Sequence, residues 1–421
     1  MAAKKGQIPI HVKKKQFTHP GRDLHLIQAL EDIEDLRKPS QFFLYSLTSV
    51  LFMVLVAQVC GAKDWPQTVV ICEGLADWLG KYVDMSSGVP CERTFKNLFS
   101  IIRPEYMERL LMDTADLVRE RIPREIVSFD GQTERGTKTS SVCGIHLLNA
   151  WSADNEICLG QIKVGDKSNE ITAMPLLMET LDLKEAVITG DALNTQKEIL
   201  QKAVEMQADY LFPVKANQDT LLQEVISAFE QLDIEQKKAR EQWQRAIEKS
   251  KEYRDEPRLN KLLKDGPDIC GATFFESFEK GHGRIEKRIC TTLSAKDLPA
   301  RHEWEGLTTI VRMARERKEG ERTQSEMIYY ITSLGQQAEF IAHAIRNHWR
   351  IENSLHWRLD VIFGQDRSRY RDRQGARNLA TIRKLALNLL QKEASLKRGM
   401  ATKQAAALAN PTFRDKVINL I

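Results

Sequence analysis

From Pro123 to Val214 the order of the elements leaves few folds open to this chain. Glu125-Ile126-Val127-Ser128-Phe129-Asp130 reads as a short strand that ends on a carboxylate and runs into Gly131. Val142 to Trp151 and Ile157 to Val164 alternate as two further strands, and the polar stretch Ser152 to Glu156 between them suits a hairpin. Glu170 to Leu181 is a helical pattern, and Ala186 to Asp191 is another apolar strand closed by a carboxylate. Thr195 to Gln207 is helical again, and Asp209 to Val214 is a last strand.

Three antiparallel strands followed by alternating helix and strand is the RNase H-like order, an α/β mixed sheet flanked by helices. In that topology the first and fourth strands are neighbours, so Asp130 and Asp191 are expected side by side at corresponding strand ends. A third carboxylate has a natural source in Arg346 to Val361, a stretch without Gly or Pro. Its apolar residues Ile345, Ile351, Leu355, Leu359 and Ile362 recur mostly at threes and fours, which predicts an amphipathic helix from about Gln336 to Ile362. His348, Glu352 and His356 stand at i, i+4 and i+8 and are expected on one face.

Like charges brought together raise one another's pKa unless they share a cation, and hard oxygen ligands suit Mg²⁺ or Mn²⁺ rather than zinc. Asp130, Asp191 and Glu352 are therefore the candidate ligands of two divalent ions ~4 Å apart, an arrangement suited to in-line phosphodiester displacement. Each residue also has a plainer reading. Asp130-Gly131 is also readable as a turn, Asp191 as a helix cap, and Glu352 as an exposed helix carboxylate paired with Arg or His. A zinc face of His348, Glu352 and His356 lacks the HExxH order.

Around this core the chain divides by texture. Residues 1–22 form a basic arm, 23–122 an N-terminal all-α domain, 123–217 the first part of the core, and 218–335 an insertion of charged helices followed by β-strands. Residues 336–393 return to the core with the Glu-bearing helix and a further helix, and 394–421 are a loosely held C-terminal tail. The apolar stretch Gln41 to Cys60 approaches the length of a membrane span, but Ser46, Thr48, Ser49 and Gln58 interrupt it. It reads as a buried helix of the N-terminal domain, with a single-span anchor as the minority alternative. A net charge of +4 does not by itself imply a nucleic-acid partner. The clusters Lys4, Lys5, Lys13, Lys14, Lys15, Arg22 and Arg367, Arg369, Arg371, Arg373 suit phosphate binding as well as a solvated face. Seven cysteines without a CxxC pair point to a reducing compartment, and with no signal peptide evident the cytoplasm is expected.

Six ordered motifs then carry a family resemblance. They are Phe129-Asp130-Gly131-Gln132-Thr133-Glu134-Arg135-Gly136, Lys167-Ser168-Asn169-Glu170-Ile171-Thr172-Ala173, Thr189-Gly190-Asp191-Ala192-Leu193-Asn194-Thr195-Gln196, Val214-Lys215-Ala216-Asn217-Gln218, His282-Gly283-Arg284-Ile285-Glu286, and the Glu352 helix through Asp366. From about Phe17 to about Gln391 the chain resembles the DDE transposases of ISAs-type insertion sequences, the group that includes the H-repeat-associated proteins. The resemblance implies catalytic roles for Asp130, Asp191 and Glu352, a Mg²⁺-dependent cut at the element's ends with transfer of the 3′-hydroxyl into target DNA, and an insertion before the Glu-bearing helix. Partners implied are double-stranded DNA, as terminal inverted repeats and target, and a second copy of the chain on that DNA, with no membrane. Gln132 stands where the family usually has Lys, Asn194 where it has His, and Gln365 where it has Glu. Arg135, Lys215, His282 and Arg284 are candidate phosphate contacts, and His348 and Arg350 candidates for holding a DNA end. Trp349 or Trp357 is a candidate for stacking on an unpaired base. Two other readings stay open: a DNA-binding protein that has lost catalysis, and a metal nuclease that never joins strands.

Overall fold

The computed structural model describes residues 17–37, 43–138, 143–165, 169–281 and 284–421. Nine strands form one sheet: β1 Ile126–Glu134, β2 Ile145–Ser152, β3 Ile157–Lys163, β4 Val187–Thr189, β5 Asp209–Val214, β6 Thr273–Gly281, β7 Arg284–Ser294, β8 Thr309–Glu319 and β9 Arg322–Thr332. Their spatial order is β3-β2-β1-β4-β5-β9-β8-β7-β6. The first five positions are the expected RNase H-like arrangement, with β1 antiparallel to β2 and parallel to β4. The strands of the insertion do not form a sheet of their own. β9 runs antiparallel to β5, Leu211 opposite Thr332, and extends the core sheet outward.

Alternation along the strands sorts the core into two layers. Val127, Phe129, Ile188, Tyr210 and Phe212 face helices Glu170–Glu179 and Lys197–Glu205 and the start of the long helix Asp219–Glu252. Ile126, Trp151, Val187 and Leu211 face the other way and share a core with the N-terminal helices. All thirteen residues of helix Leu47–Val59 are buried there, which is why this stretch is so apolar. Among the described residues no helix is long and apolar enough to cross a membrane. The twenty-residue helix Arg373–Lys392 lies between those helices and the sheet. Its Asn378 amide donates to the Phe99 and Ile102 carbonyls, and Asn388 bonds both backbone groups of Cys158 on edge strand β3.

Two features depart from expectation. β1 does not stop at Asp130: β2 pairs with it as far as Glu134, whereas β4 covers only Ile126 to Ser128. Asp130 therefore sits just past the end of the parallel pair, on a strand that continues. The end of the chain is also held. Helices Met400–Ala409 and Pro411–Ile418 pack on the N-terminal helices, with Val417 and Ile418 buried. Asp415 accepts hydrogen bonds from Trp78 Nε1 at 2.8 Å and Tyr82 OH at 2.9 Å, and the Arg414 guanidinium lies 4.4 Å over the Trp78 ring. Asp415→Ala removes the acceptor for both donors and is expected to cost about 1–3 kcal/mol, read as a lower urea midpoint at unchanged slope.

Candidate active site

The pleat of β1 places Ser128 and Asp130 on the face opposite Phe129. That face meets helix Ala338–His348 and its continuation. Thr189, opposite Ser128 on β4, donates to Ser128 Oγ at 3.1 Å and lies 3.0 Å from His348 Nδ1. The helix is thus fastened to the strand ends one turn before Glu352. Past His348 it turns at Trp349 and widens: Glu352–His356 and Arg358–Ile362 are π turns, with the Trp357 N–H donating to the Glu352 carbonyl five residues back. Such widening shifts side chains off the straight i, i+4 line and is common where a helix serves a site. The face expected for His348, Glu352 and His356 is accordingly split. His348 points at Thr189, while His356 turns toward Asp130.

His356 is buried, and its Nδ1 lies 3.2 Å from Glu352 Oε2 and 3.5 Å from Asp130 Oδ2. One ligand atom from each of Asp130, Glu352 and His356 lies within 4.8 Å of the others. The opposite ring nitrogen, Nε2, is buried without a hydrogen-bond partner among the described residues. Burial, followed by the nearby Glu170 carboxylate, pushes Asp130 up to about 7, and Asp191 and Glu352 add to the rise. Burial and Glu170 also raise Asp191, against the pull of Lys215. Crowded carboxylate oxygens that resist ionisation fit a hard divalent cation.

Asp191 lies outside that tight trio and has its own setting. It caps the short 3₁₀ turn Ala192–Asn194, accepting from the Asn194 backbone N–H at 3.3 Å and from Asn194 Nδ2 at 3.0 Å. The same Nδ2 reaches Glu170 Oε2 at 3.2 Å, and Glu170 Oε1 accepts from His146 Nε2 at 2.8 Å. His146, opposite Thr133 across β1 and β2, is bonded to the Thr133 hydroxyl at 2.9 Å. Gly131 explains itself here, since a Cβ on it would come within 2.1 Å of Glu170 Oε1 and 2.5 Å of His146 Nε2.

The continuation of β1 holds the Glu-bearing segment in place. Gln132 Nε2 donates to Asp360 at 2.9 Å, Gln365 Nε2 donates to buried Glu134, and Arg135 pairs with Asp366 at 3.4 Å. Gln132 and Gln365, two of the departures from the family pattern, each bridge to a carboxylate without adding charge.

The remaining candidates scatter. Lys215 lines a slot with Asp191, Tyr330, Ile345, His348 and Trp349. Trp349 is 61% exposed at its mouth, and Trp357 is 52% exposed. Arg135 is exposed at the end of β1. His348 does not suit a cation that holds DNA, because burial depresses it to about 4 and Thr189 engages it. Arg350 turns away from the carboxylates to Glu156 and the Ala153 carbonyl. Arg284 opens β7, ten residues from Ser294 at the inner end of that strand, roughly 33 Å along it, and is not gathered with the acids. His282 lies outside the described residues. What the motifs did not single out as site members are His146 and His356 as a partner of Asp130, while Glu170, in the second motif, was readable as lining the site or, more safely, as capping its helix. Cross-strand register and the π turns bring them in, and neither shows as a spacing.

Comparison with known proteins follows the same lines. Residues 121–389 match the family described as Transposase DDE domain, and residues 27–114 match its DDE_Tnp_1-associated segment. "Putative transposase YncI" of Escherichia coli O157:H7 is 32% identical over 400 residues, covering 93% of this chain and 94% of its own length. "H repeat-associated putative transposase YhhI" of Escherichia coli K12 is 31% identical over 377 residues, 89% of this chain and 92% of its own. Among solved structures, a piggyBac transposase synaptic complex with hairpin DNA aligns at TM-score 0.38 and 10% identity, over 94% of this chain and 78% of that one.

Proposed function

Since the chain belongs to the transposase DDE-domain family, we propose that it cuts DNA at the ends of its own bacterial insertion sequence and joins the freed 3′-hydroxyl to target DNA. The observation that carries this reading is the meeting of Glu352 with Asp130 at one shared imidazole, His356, although the two acids come from opposite ends of the catalytic region.

Asp130, Asp191 and Glu352 are assigned as the ligands of Mg²⁺, which Mn²⁺ can replace, in a two-ion site. Bound there, divalent ions supply the charge that stabilises the attacking and leaving oxygens of a phosphodiester displacement. The protein contributes position. Asp130 is fixed on β1 just past its pairing with β4 and Asp191 by a capped turn, whereas Glu352, held by His356, is mostly exposed. Lys215 beside Asp191 and Arg135 at the end of β1 are placed to contact phosphates, and the open face of Trp349 suits stacking on an unpaired base. His348 and Arg350 instead brace the fold through Thr189 and Glu156. The substrate is double-stranded DNA carrying the element's terminal inverted repeats, bound by two copies of the chain in the cytoplasm.

The test uses purified protein and linear DNA bearing the inverted repeats that flank the gene. With Mg²⁺, a new 3′-hydroxyl at the repeat end and a joined product on a plasmid target are expected, and EDTA should remove both. Binding without cleavage in either Mg²⁺ or Mn²⁺ would replace this reading with a DNA-binding protein that has lost catalysis. Cleavage that never yields a joined product would leave a nuclease.

A further inference from the structure

We propose that Glu170 is a fourth acidic member of this site, a positioning residue that holds Asp191 through Asn194 and supplies negative charge toward the divalent ions. This rests on the metal-dependent reading above.

Glu170 opens its helix, where a carboxylate ordinarily serves the free N–H groups of the first turn. Here both of its oxygens are turned to other elements. Oε1 takes the His146 Nε2 proton at 2.8 Å and Oε2 takes an Asn194 Nδ2 proton at 3.2 Å. Asn194 is fully buried, and its one amide nitrogen also serves Asp191 Oδ1 at 3.0 Å, so Glu170 and Asp191 are set relative to one another by a single group. The Asn194 carbonyl oxygen and His356 Nε2 are both buried and unpartnered among the described residues.

Against burial, the hydrogen bonds from His146 and Asn194 hold Glu170 below the usual carboxylate range, so a third negative charge is built in beside Asp130 and Asp191. The backbone of β1 leaves room for it with a glycine at 131. A cation shared by the group turns the same charge into an attraction. Both Glu170 oxygens are already engaged, by His146 and by Asn194, which makes Glu170 a support of Asp191 rather than a direct ligand.

The experiment is a Mn²⁺ titration of the full chain by calorimetry, comparing wild type, Asp191→Asn, Glu170→Gln and Glu170→Ala, with melting in EDTA as the control for folding. Glu170→Gln keeps the shape and an oxygen to accept from Asn194, turns a donor toward His146 Nε2, which the other imidazole tautomer can accept, and removes the charge. It is expected to weaken Mn²⁺ binding by about tenfold or more, the usual scale for a group that orients a ligand, while the chain still melts cooperatively in EDTA. Its cleavage of repeat-end DNA should recover as Mg²⁺ is raised, which loss of a merely structural brace would not produce. Wild-type affinity in Glu170→Gln, together with weakened binding in Asp191→Asn, would overturn the role of Glu170 alone. Absence of Mn²⁺ binding in the wild-type chain would overturn the metal reading with it.

Discussion

Asp130→Asn, Asp191→Asn and Glu352→Gln are each expected to lower cleavage of repeat-end DNA by about 10³-fold or more, the equivalent of several kcal/mol of charge stabilisation at the transition state. Binding of the same DNA, read by gel shift in EDTA, should persist. Each replacement is nearly isosteric, so folding is little disturbed. Glu352 is two-thirds exposed, and the Asn194 amides can still donate to a carboxamide at 191.

The stability of the metal-free variants gives this test a second axis. Asp130 is raised from a carboxylate's unfolded value of about 3.9 to about 7 in the fold, chiefly by burial. Its contribution to stability is therefore whole below the unfolded value and is lost as pH climbs through the folded one. In EDTA, Asp130→Asn should melt above wild type at pH 8 and level with it near pH 4. Excess Mg²⁺ should reverse the order at pH 8, because only the wild type can bind the ion tightly. A variant that keeps full activity removes its carboxylate from the site. A variant that loses activity but melts lower than wild type in EDTA at pH 8 points to damaged folding instead of missing chemistry.

The parts of the molecule that could be read from the chain are those governed by short-range pattern. Alternating residues and polar turns located β2, β3 and β5, and their order placed β1 beside β4. The parts that could not be read depend on partners far away in sequence. Gly131-Gln132 looks like the start of a turn, yet β2 pairs through it, and Gln132 finds Asp360 only because the Glu-bearing segment lies alongside. The pairing of β9 with β5 makes the insertion an extension of the core sheet, although its strands are as plain in the sequence as those of an independent unit. Apolar spacing announced a helix through Glu352 but is too coarse to distinguish α from π turns, and the π turns lie where His356 meets Asp130. Arg350 looked like a DNA contact because it lies two residues before Glu352 in sequence, and Glu156 at the β2–β3 hairpin took it. The C-terminal helices bury their ends on Trp78 and Tyr82, which no local signal at residues 400–421 foretells.

Gly131→Ala should be the most damaging change that touches no proposed ligand, with cleavage lowered by about 10²-fold at a fold that still melts cooperatively. The added methyl would stand 2.1 Å from Glu170 Oε1 and 2.5 Å from His146 Nε2, far inside contact distance. Side-chain ends usually swing away from such an intrusion, but these two are tied. His146 is held by Thr133 and by Glu170, and Glu170 by Asn194, which in turn holds Asp191. Relief must come from breaking that chain or from shifting β1, and either displaces one of the acids from its neighbour. Displacement of about 1 Å is enough for losses of this size in a site that works by position. Backbone strain does not confuse the result, because Gly131 is not among the residues of positive φ. The double variant Gly131→Ala with Glu170→Ala separates the causes: removing one obstructed side chain and freeing His146 to swing away should raise the melting temperature above that of Gly131→Ala without restoring cleavage. If Gly131→Ala alone cleaves at the wild-type rate, the packing of Glu170 and His146 over β1 has no bearing on the reaction.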